Sequence, residues 1–331
     1  MNAGLPGAAP LSEPSTQTFN SHWAWALLLA ASRHARAASP AAGHFTLGSD
    51  EKLTAVGAQA PNPALELRRD GVWVPTQRPD GEAGALLDLY LPLCRGGPVT
   101  VGHLGQSIDG YIATRTGDSS YVNGPENILH LHRMRALCDA VIVGAGTIAA
   151  DDPRLTTREV AGPNPVRVIL DPRLRLPPNN RVFTDGEAET FVICSADIAA
   201  ERPRGSSFSR DIRRTEIIAV PAVGADLDLG ALLETLHARG LRRIFVEGGG
   251  TTVSRFLEAG LLDRLQIAIA PLIVGSGRPG LQLPPSERIA ECFRPMHRIF
   301  AMGGDVLFDC DLRERVTTVD RTSNSTLARI C

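Results

Sequence analysis

VGAGTIAADDPRLTTR, residues Val143 to Arg158, carries an apolar strand (Ala140 to Val143) into a glycine turn, then a threonine, paired aspartates and an arginine seven residues past Asp151. Gly144 and Gly146 let backbone come close to a ligand, and Thr147 suits the start of a helix whose unpaired N–H groups favour phosphate. That order fits a nucleotide site at the end of a sheet strand. A glycine turn after a strand is weak on its own, and it is not the G-x-G-x-x-G fingerprint. Two distant segments strengthen it. GQSIDGYIATRTGDSSYV, Gly105 to Val122, follows a strand-like Val99 to Leu104, and IFVEGGGTTVSRFLEAGLLDRL, Ile244 to Leu265, reads as strand, triple-glycine turn and amphipathic helix.

Outward from these segments, apolar runs alternate with helical ones from Val99 onward. Strands are expected at Val99–Leu104, Ala140–Val143, Val166–Leu170, Thr190–Cys194, Ile217–Val220, Arg243–Glu247, Leu265–Ala270 and Val306–Cys310. Helices fit Pro125–Leu137, Leu229–Arg239 and Thr251–Ala259, with Pro125 at a first helical position and Gly240 as a stop. The alternation argues an α/β sandwich with a mostly parallel sheet, and Gly303-Gly304 between the last two strands argues a terminal hairpin and hence a mixed sheet. Before this region, Met1 to Asn20 is rich in Pro, Ser, Gly and Thr and is expected to be disordered. Trp23–Ala31 fits an amphipathic helix, Leu65–Val74 a hairpin turning at Asp70-Gly71, and Glu82–Leu93 a helix broken by Arg95-Gly96-Gly97-Pro98. The expected organisation is a disordered stretch 1–20, an appendage 21–97 of unassigned role, a main domain 98–312 and a tail 313–331.

Composition narrows the function classes. Net charge is −2 over 331 residues, so no global field draws the chain to nucleic acid or membrane. Six scattered cysteines without a C-x-x-C pair argue against a disulfide framework or a zinc ribbon, and no metal is expected. No Lys or Arg precedes the apolar run at Trp23, which is too short to span a bilayer despite the cleavage-like Ala35-Arg36-Ala37, so a cytoplasmic protein is expected.

S-I-D-G at Ser107–Gly110, T-x-x-x-D-D-P-x-L-T-x-R at Thr147–Arg158 and E-G-G at Glu247–Gly249 resemble, in that order, the pyrimidine reductase family of riboflavin biosynthesis. That family forms the C-terminal half of the bifunctional deaminase-reductase, and the resemblance covers about Pro98 to Leu312. It implies a dihydrofolate-reductase-like fold and NADPH as cofactor. It further implies cofactor contacts at Gly105, Tyr121 (where the family usually has tryptophan), Thr147, Asp151 and the loop Gly249, Gly250, Thr251, Thr252, Val253, Ser254 and Arg255. Substrate contacts fall at Ser119, Arg135, Leu155, Arg158 and Glu247, the two arginines suiting a phosphate monoester. Arg173, after the Val166–Leu170 strand, is a candidate for the 2′-phosphate of NADPH. Asp109 and Asp152 read as turn formers. His103 stands where the family commonly has lysine and is the candidate catalytic side chain; a shorter, mostly neutral imidazole leaves the exact substrate and the proton donor open.

The expectation is an NADPH-dependent oxidoreductase that converts the ribosyl chain of a phosphorylated 5-amino-6-ribosylaminopyrimidinedione to ribityl. No deaminase activity is expected, because the H-x-E and P-C-x-x-C motifs of the deaminase half are missing from this chain. A reductase of a pterin or specialised-metabolite carbonyl, and a non-catalytic nucleotide-binding protein, are the alternatives. A homodimer is expected, through apolar sheet edges near Ile267 and Leu307.

Overall fold

The computed structural model describes residues 20–36, 41–60, 62–77, 79, 81–120, 122–201, 214–224 and 226–315. Of the expected disordered stretch 1–20 and tail 313–331, only Asn20 and 313–315 are described, the latter continuing the last strand; the rest of both, and Tyr121, fall outside these residues. The chain opens with helix α1 (Ser21–Ala35), strands β1 (Gly43–Leu47), β2 (Leu53–Val56), β3 (Leu65–Leu67) and β4 (Trp73–Pro75), and helix α2 (Gly81–Tyr90). Asn20 caps α1 by accepting from the Trp23 amide. The four strands form an antiparallel sheet in the order β2-β1-β3-β4. The Asp70-Gly71 hairpin is present as expected, closed between Leu67 and Trp73. Two expectations need correction. Helix α1 is buried on every side from Ala24 to Ser32, so it is a core helix and not an amphipathic surface one. The helix expected over 82–93 stops at Tyr90, and Pro92 turns the next residues into a single 3₁₀ turn, Leu91–Cys94.

The remaining elements follow as β5 (Val99–Ser107), β6 (Tyr111–Thr114), α3 (Pro125–Leu137), β7 (Ala140–Gly144), α4 (Ala145–Asp151), β8 (Val166–Leu170), α5 (Arg181–Thr184), β9 (Thr190–Ser195), α6 (Ala196–Glu201) and β10 (Thr215–Val220). After them come β11 (Ala222–Val223), β12 (Asp226–Leu227), α7 (Leu229–Ala238), β13 (Arg243–Glu247), α8 (Gly250–Glu258), β14 (Arg264–Ala270), β15 (Gly277–Pro279), β16 (Pro295–Met302) and β17 (Asp305–Arg315). Among the described residues nine strands make the main sheet, in the order β10-β9-β8-β7-β13-β5-β14-β17-β16. All neighbours from β10 to β14 run parallel, and β17 and β16 are antiparallel. The near-continuous apolar runs reflect this position: β13 is buried at all five residues between β7 and β5.

The terminal hairpin exists, but its first strand is β16, which the sequence pattern did not suggest; Leu265–Ala270 instead lies on the far side of β17. Ile267 and Leu307 are therefore interior to the sheet and form no edge; the outer strands are β10 and β16.

The appendage shares its core with the main domain: Trp25, Leu28, Tyr90 and Leu93 lie in one apolar cluster with Val99, Met134 and Phe245. Polar contacts seal the joint. Arg243 donates to Ser32 O and Oγ at 2.9 and 2.8 Å, and Asp139 pairs with both Arg243 and Arg36. The Arg95-Gly96-Gly97-Pro98 break, where the appendage was expected to end, joins two closely packed parts of one core.

Candidate active site

The carboxyl ends of β5, β7 and β13 open into a cleft of about 810 Å³, the size range of small-molecule sites. In an open α/β sheet this is where ligands sit. Two loops meet there. Gly144 ends β7 beside Thr252, whose Oγ1 would lie 2.7 Å from any Cβ at Gly144. Conversely, a Cβ at Gly249 would meet Thr147 Oγ1 at 3.3 Å. The two helix starts, α4 and α8, thus lie side by side with Thr147 and Thr252 between them. Gly248 and Gly249 have φ of 76° and 28°, a region that favours glycine. No side chain caps the start of α8, so its amide groups face the cleft with the helix dipole behind them. Gly250 has a different reason to be glycine: its Cβ would come within 2.0 Å of Gly280 O, where the chain after β15 crosses the loop.

The opposite wall is built by β5 and β13, which pair His103 with Glu247 in register. His103 is 3% exposed, and its Nε2 lies 3.0 Å from Asn127 Oδ1. Since the carbonyl oxygen of Asn127 accepts, His103 carries its proton on Nε2 and keeps a lone pair on Nδ1. Burial pushes its pKa down to about 4, only partly opposed by Glu247, so the ring is neutral at ordinary pH. Glu247 is gripped by Arg135, whose Nε and Nη2 donate to Oε2 and Oε1 at 2.9 and 2.5 Å. Arg135 Nη1 also reaches Thr156 O at 3.3 Å. Gly105, two residues beyond His103, makes room for Asn123, whose Oδ1 would stand 2.0 Å from a Cβ there.

The cleft gathers most residues singled out from the sequence: His103, Gly105, Ser119, Thr147, Asp151, Leu155, Glu247, Gly249, Gly250, Thr251, Thr252 and Arg255 all line it. Burial raises the pKa of Asp151, with Arg278 pulling the other way. Arg255 pairs with Asp226 at 2.7 Å. Leu155 holds a φ of 56°, strained for a branched side chain, at a buried position on the cleft wall.

Others are placed elsewhere. Arg135 sits behind Glu247 and not on the cleft surface. Arg158 is exposed off the cleft, donating to Thr156 Oγ1 at 2.7 Å, while its amide donates to His132 Nδ1. Arg173 is exposed in the turn after β8, held by Asp171, which accepts from the Leu176 amide. Val253 and Ser254 face the interior, Ser254 Oγ accepting from the Gln282 amide. Asp109 accepts from Ser107 Oγ and from the amides of Val274 and Gly275, and Asp152 accepts from the Arg181 amide. Both are structural acids, but beyond the expected turn: Asp109 ties its own turn to the distant 274–275 loop, and Asp152 ties the end of α4 to the start of α5.

Asn123, Asn127 and Arg278 also line the cleft and were not foreseen. Asn127 had a signal: a polar residue in the first turn of a helix whose flank is buried. Arg278 had none, since only the pairing of β15 with β6 brings it to the site.

Comparison with known proteins places the chain in a family. The family model described as the RibD C-terminal domain matches residues 99–295. A 2,5-diamino-6-ribosylamino-4(3H)-pyrimidinone 5′-phosphate reductase from Methanothermobacter thermautotrophicus is 38% identical over 219 residues, 64% of this chain and 97% of that protein. The riboflavin biosynthesis protein RibD of Bacillus amyloliquefaciens is 31% identical, over 78% of this chain and 69% of its own length. Among solved structures, a deaminase/reductase from Thermotoga maritima matches with a TM-score of 0.54 at 26% identity, covering 70% of this chain and 61% of that one. The chain therefore spans about three fifths of that solved protein. The protein belongs to the RibD C-terminal domain family, the pyrimidine reductases of riboflavin biosynthesis with a dihydrofolate-reductase-like fold.

Proposed function

We infer that the protein uses NADPH to reduce the ribosyl chain of a phosphorylated 5-amino-6-ribosylaminopyrimidinedione to its ribityl form, and that this chain does so without a deaminase step. The observation that carries the reading is the meeting of two uncapped helix starts with the His103–Glu247 pair across one cleft. The residues fit the cofactor. The α8 start and the Thr147 and Thr252 hydroxyls offer hydrogen bonds to phosphate and ribose, and Arg278 adds a positive charge on the rim. Gly105 lines the cleft where its missing side chain leaves room for Asn123, whose amide then sits beside β5.

When bound, the reduced nicotinamide supplies a hydride. The chain's own part is to orient the sugar and to keep water from it. Glu247, fixed by Arg135, accepts from sugar hydroxyls. His103, neutral, offers the Nδ1 lone pair to a further hydroxyl. Because its pKa lies near 4, it does not serve as a cationic acid at neutral pH. Arg158, off the cleft but near Arg135, is the guanidinium we assign to the substrate phosphate, and Ser119 lines the cleft itself. The reading includes a cytoplasmic homodimer.

A neutral His103 also suits a reductase of another carbonyl, such as a pterin. NADPH oxidation followed by absorbance separates the readings. Turnover with the ribosylaminopyrimidine phosphate and none with a pterin supports ours; the reverse removes it.

A further inference from the structure

The family model begins at residue 99, yet a residue before it reaches the layer directly behind the active site. Tyr90, at the end of α2, is 1% exposed and places its hydroxyl 2.6 Å from His130 Nδ1. His130 Nε2 lies 3.0 Å from Gln266 Oε1, and the His130 ring stands 5.2 Å from that of His103.

The direction of every proton in this buried chain is set from one end. Asp309 is fully buried and held by Arg264 and Arg298, each at 2.5 Å from Oδ2. As a carboxylate it only accepts, so Gln266 turns its Nε2 toward Asp309 Oδ1, at 3.3 Å, and its Oε1 toward His130. That oxygen also only accepts, so His130 carries its proton on Nε2. Nδ1 is then the acceptor, and Tyr90 donates to it.

We propose that Tyr90 is a positioning residue for His103, acting through His130, so that the appendage is a working part of the active site. With both nitrogens occupied, His130 has no free rotamer or alternative tautomer and presents an uncharged face to His103. His103 is thereby confined between that face, Asn127 and the edge of Phe245, with Nδ1 left for the ligand. The charged groups around the pair are Arg133 beside Tyr90 and His130, Glu247 and Arg135 beside His103, and Asp309 behind Gln266. The catalytic part of this inference rests on the reductase reading above; the tautomer does not.

Tyr90→Phe keeps the ring and removes the donor. The expected result is unchanged NADPH affinity and a kcat about tenfold lower, the effect of one unmade buried hydrogen bond. Nitrogen-15 NMR of the imidazoles tests the arrangement without turnover. In the wild-type protein His130 should be the Nε2–H tautomer at neutral pH. In the variant Gln266 should still hold the Nε2–H tautomer, but the Nδ1 resonance should shift as it loses its donor, and the His103 signals should shift with it.

Full kcat in a folded Tyr90→Phe protein would overturn the proposal. So would a wild-type His130 found cationic or as the Nδ1–H tautomer, a measurement that needs no variant. If wild-type protein turns over no ribosylaminopyrimidine while His130 has the stated tautomer and responds to the variant, the substrate reading fails and the positioning of His103 stands.

Discussion

Replacing Arg135 with methionine keeps the aliphatic stem and removes the guanidinium that holds Glu247. Both side chains are nearly buried, at 8% and 11% exposure, and both carboxylate oxygens are bound, at 2.9 and 2.5 Å. Taking away one partner leaves a carboxylate without its counter-charge and leaves Thr156 O with only its longer contact from Arg158 Nη1, at 3.4 Å. Breaking a buried pair in this way costs about 3–5 kcal/mol. With a urea slope of a few kcal/mol per molar, the unfolding midpoint should fall by on the order of 1 M. Removing both partners, as Arg135→Met with Glu247→Leu, should recover part of that loss, since no unpaired charge then remains. A surface guanidinium waiting for a phosphate would behave differently: its loss would leave stability within about 0.5 kcal/mol and raise KM alone. Urea unfolding of the single variant decides between them, and an unchanged midpoint would refute the assignment of Arg135 to Glu247.

Other consequences follow from the same geometry. Gly250→Ala should drive a methyl group to 2.0 Å from Gly280 O and shift the α8 loop, weakening NADPH binding at least about tenfold by fluorescence titration. Arg158→Ala should raise the substrate KM by about one to two powers of ten with NADPH affinity unchanged, as expected for loss of one charged contact to a phosphate. His103 has its pKa lowered from 6.5 to about 4, so the unfolded chain takes up its proton first. Its contribution is complete above pH 6.5 and declines as pH falls toward 4, reaching on the order of 3 kcal/mol; His103→Gln should flatten the urea-midpoint profile in that window.

The parallel strands were legible because burial on both faces writes itself as an apolar run, as in Ala140–Val143 and Arg243–Glu247. The glycines at 144, 248 and 249 were legible because a close backbone approach or a positive φ leaves few other choices. Strand β16 was not: Pro295, His297 and Arg298 disguise a strand that is only partly buried at the sheet edge. The small antiparallel sheet of the appendage was mostly hidden for a similar reason, since β2 is largely exposed and short. Within the site, residue types were readable and partnerships were not. Arg135 and Glu247 lie 112 positions apart, so nothing local indicates that the arginine serves the carboxylate. The link from Tyr90 to His130 depends in the same way on how the appendage docks.

The central claim is that this cleft delivers a hydride to the sugar of a ribosylaminopyrimidine phosphate. Turnover with NADPH deuterated at the nicotinamide C4, followed by mass spectrometry of the product, tests it most directly. The account predicts a ribityl product carrying deuterium at the former anomeric carbon. Unlabelled product, or NADPH that binds but is never oxidised with this substrate, would contradict it.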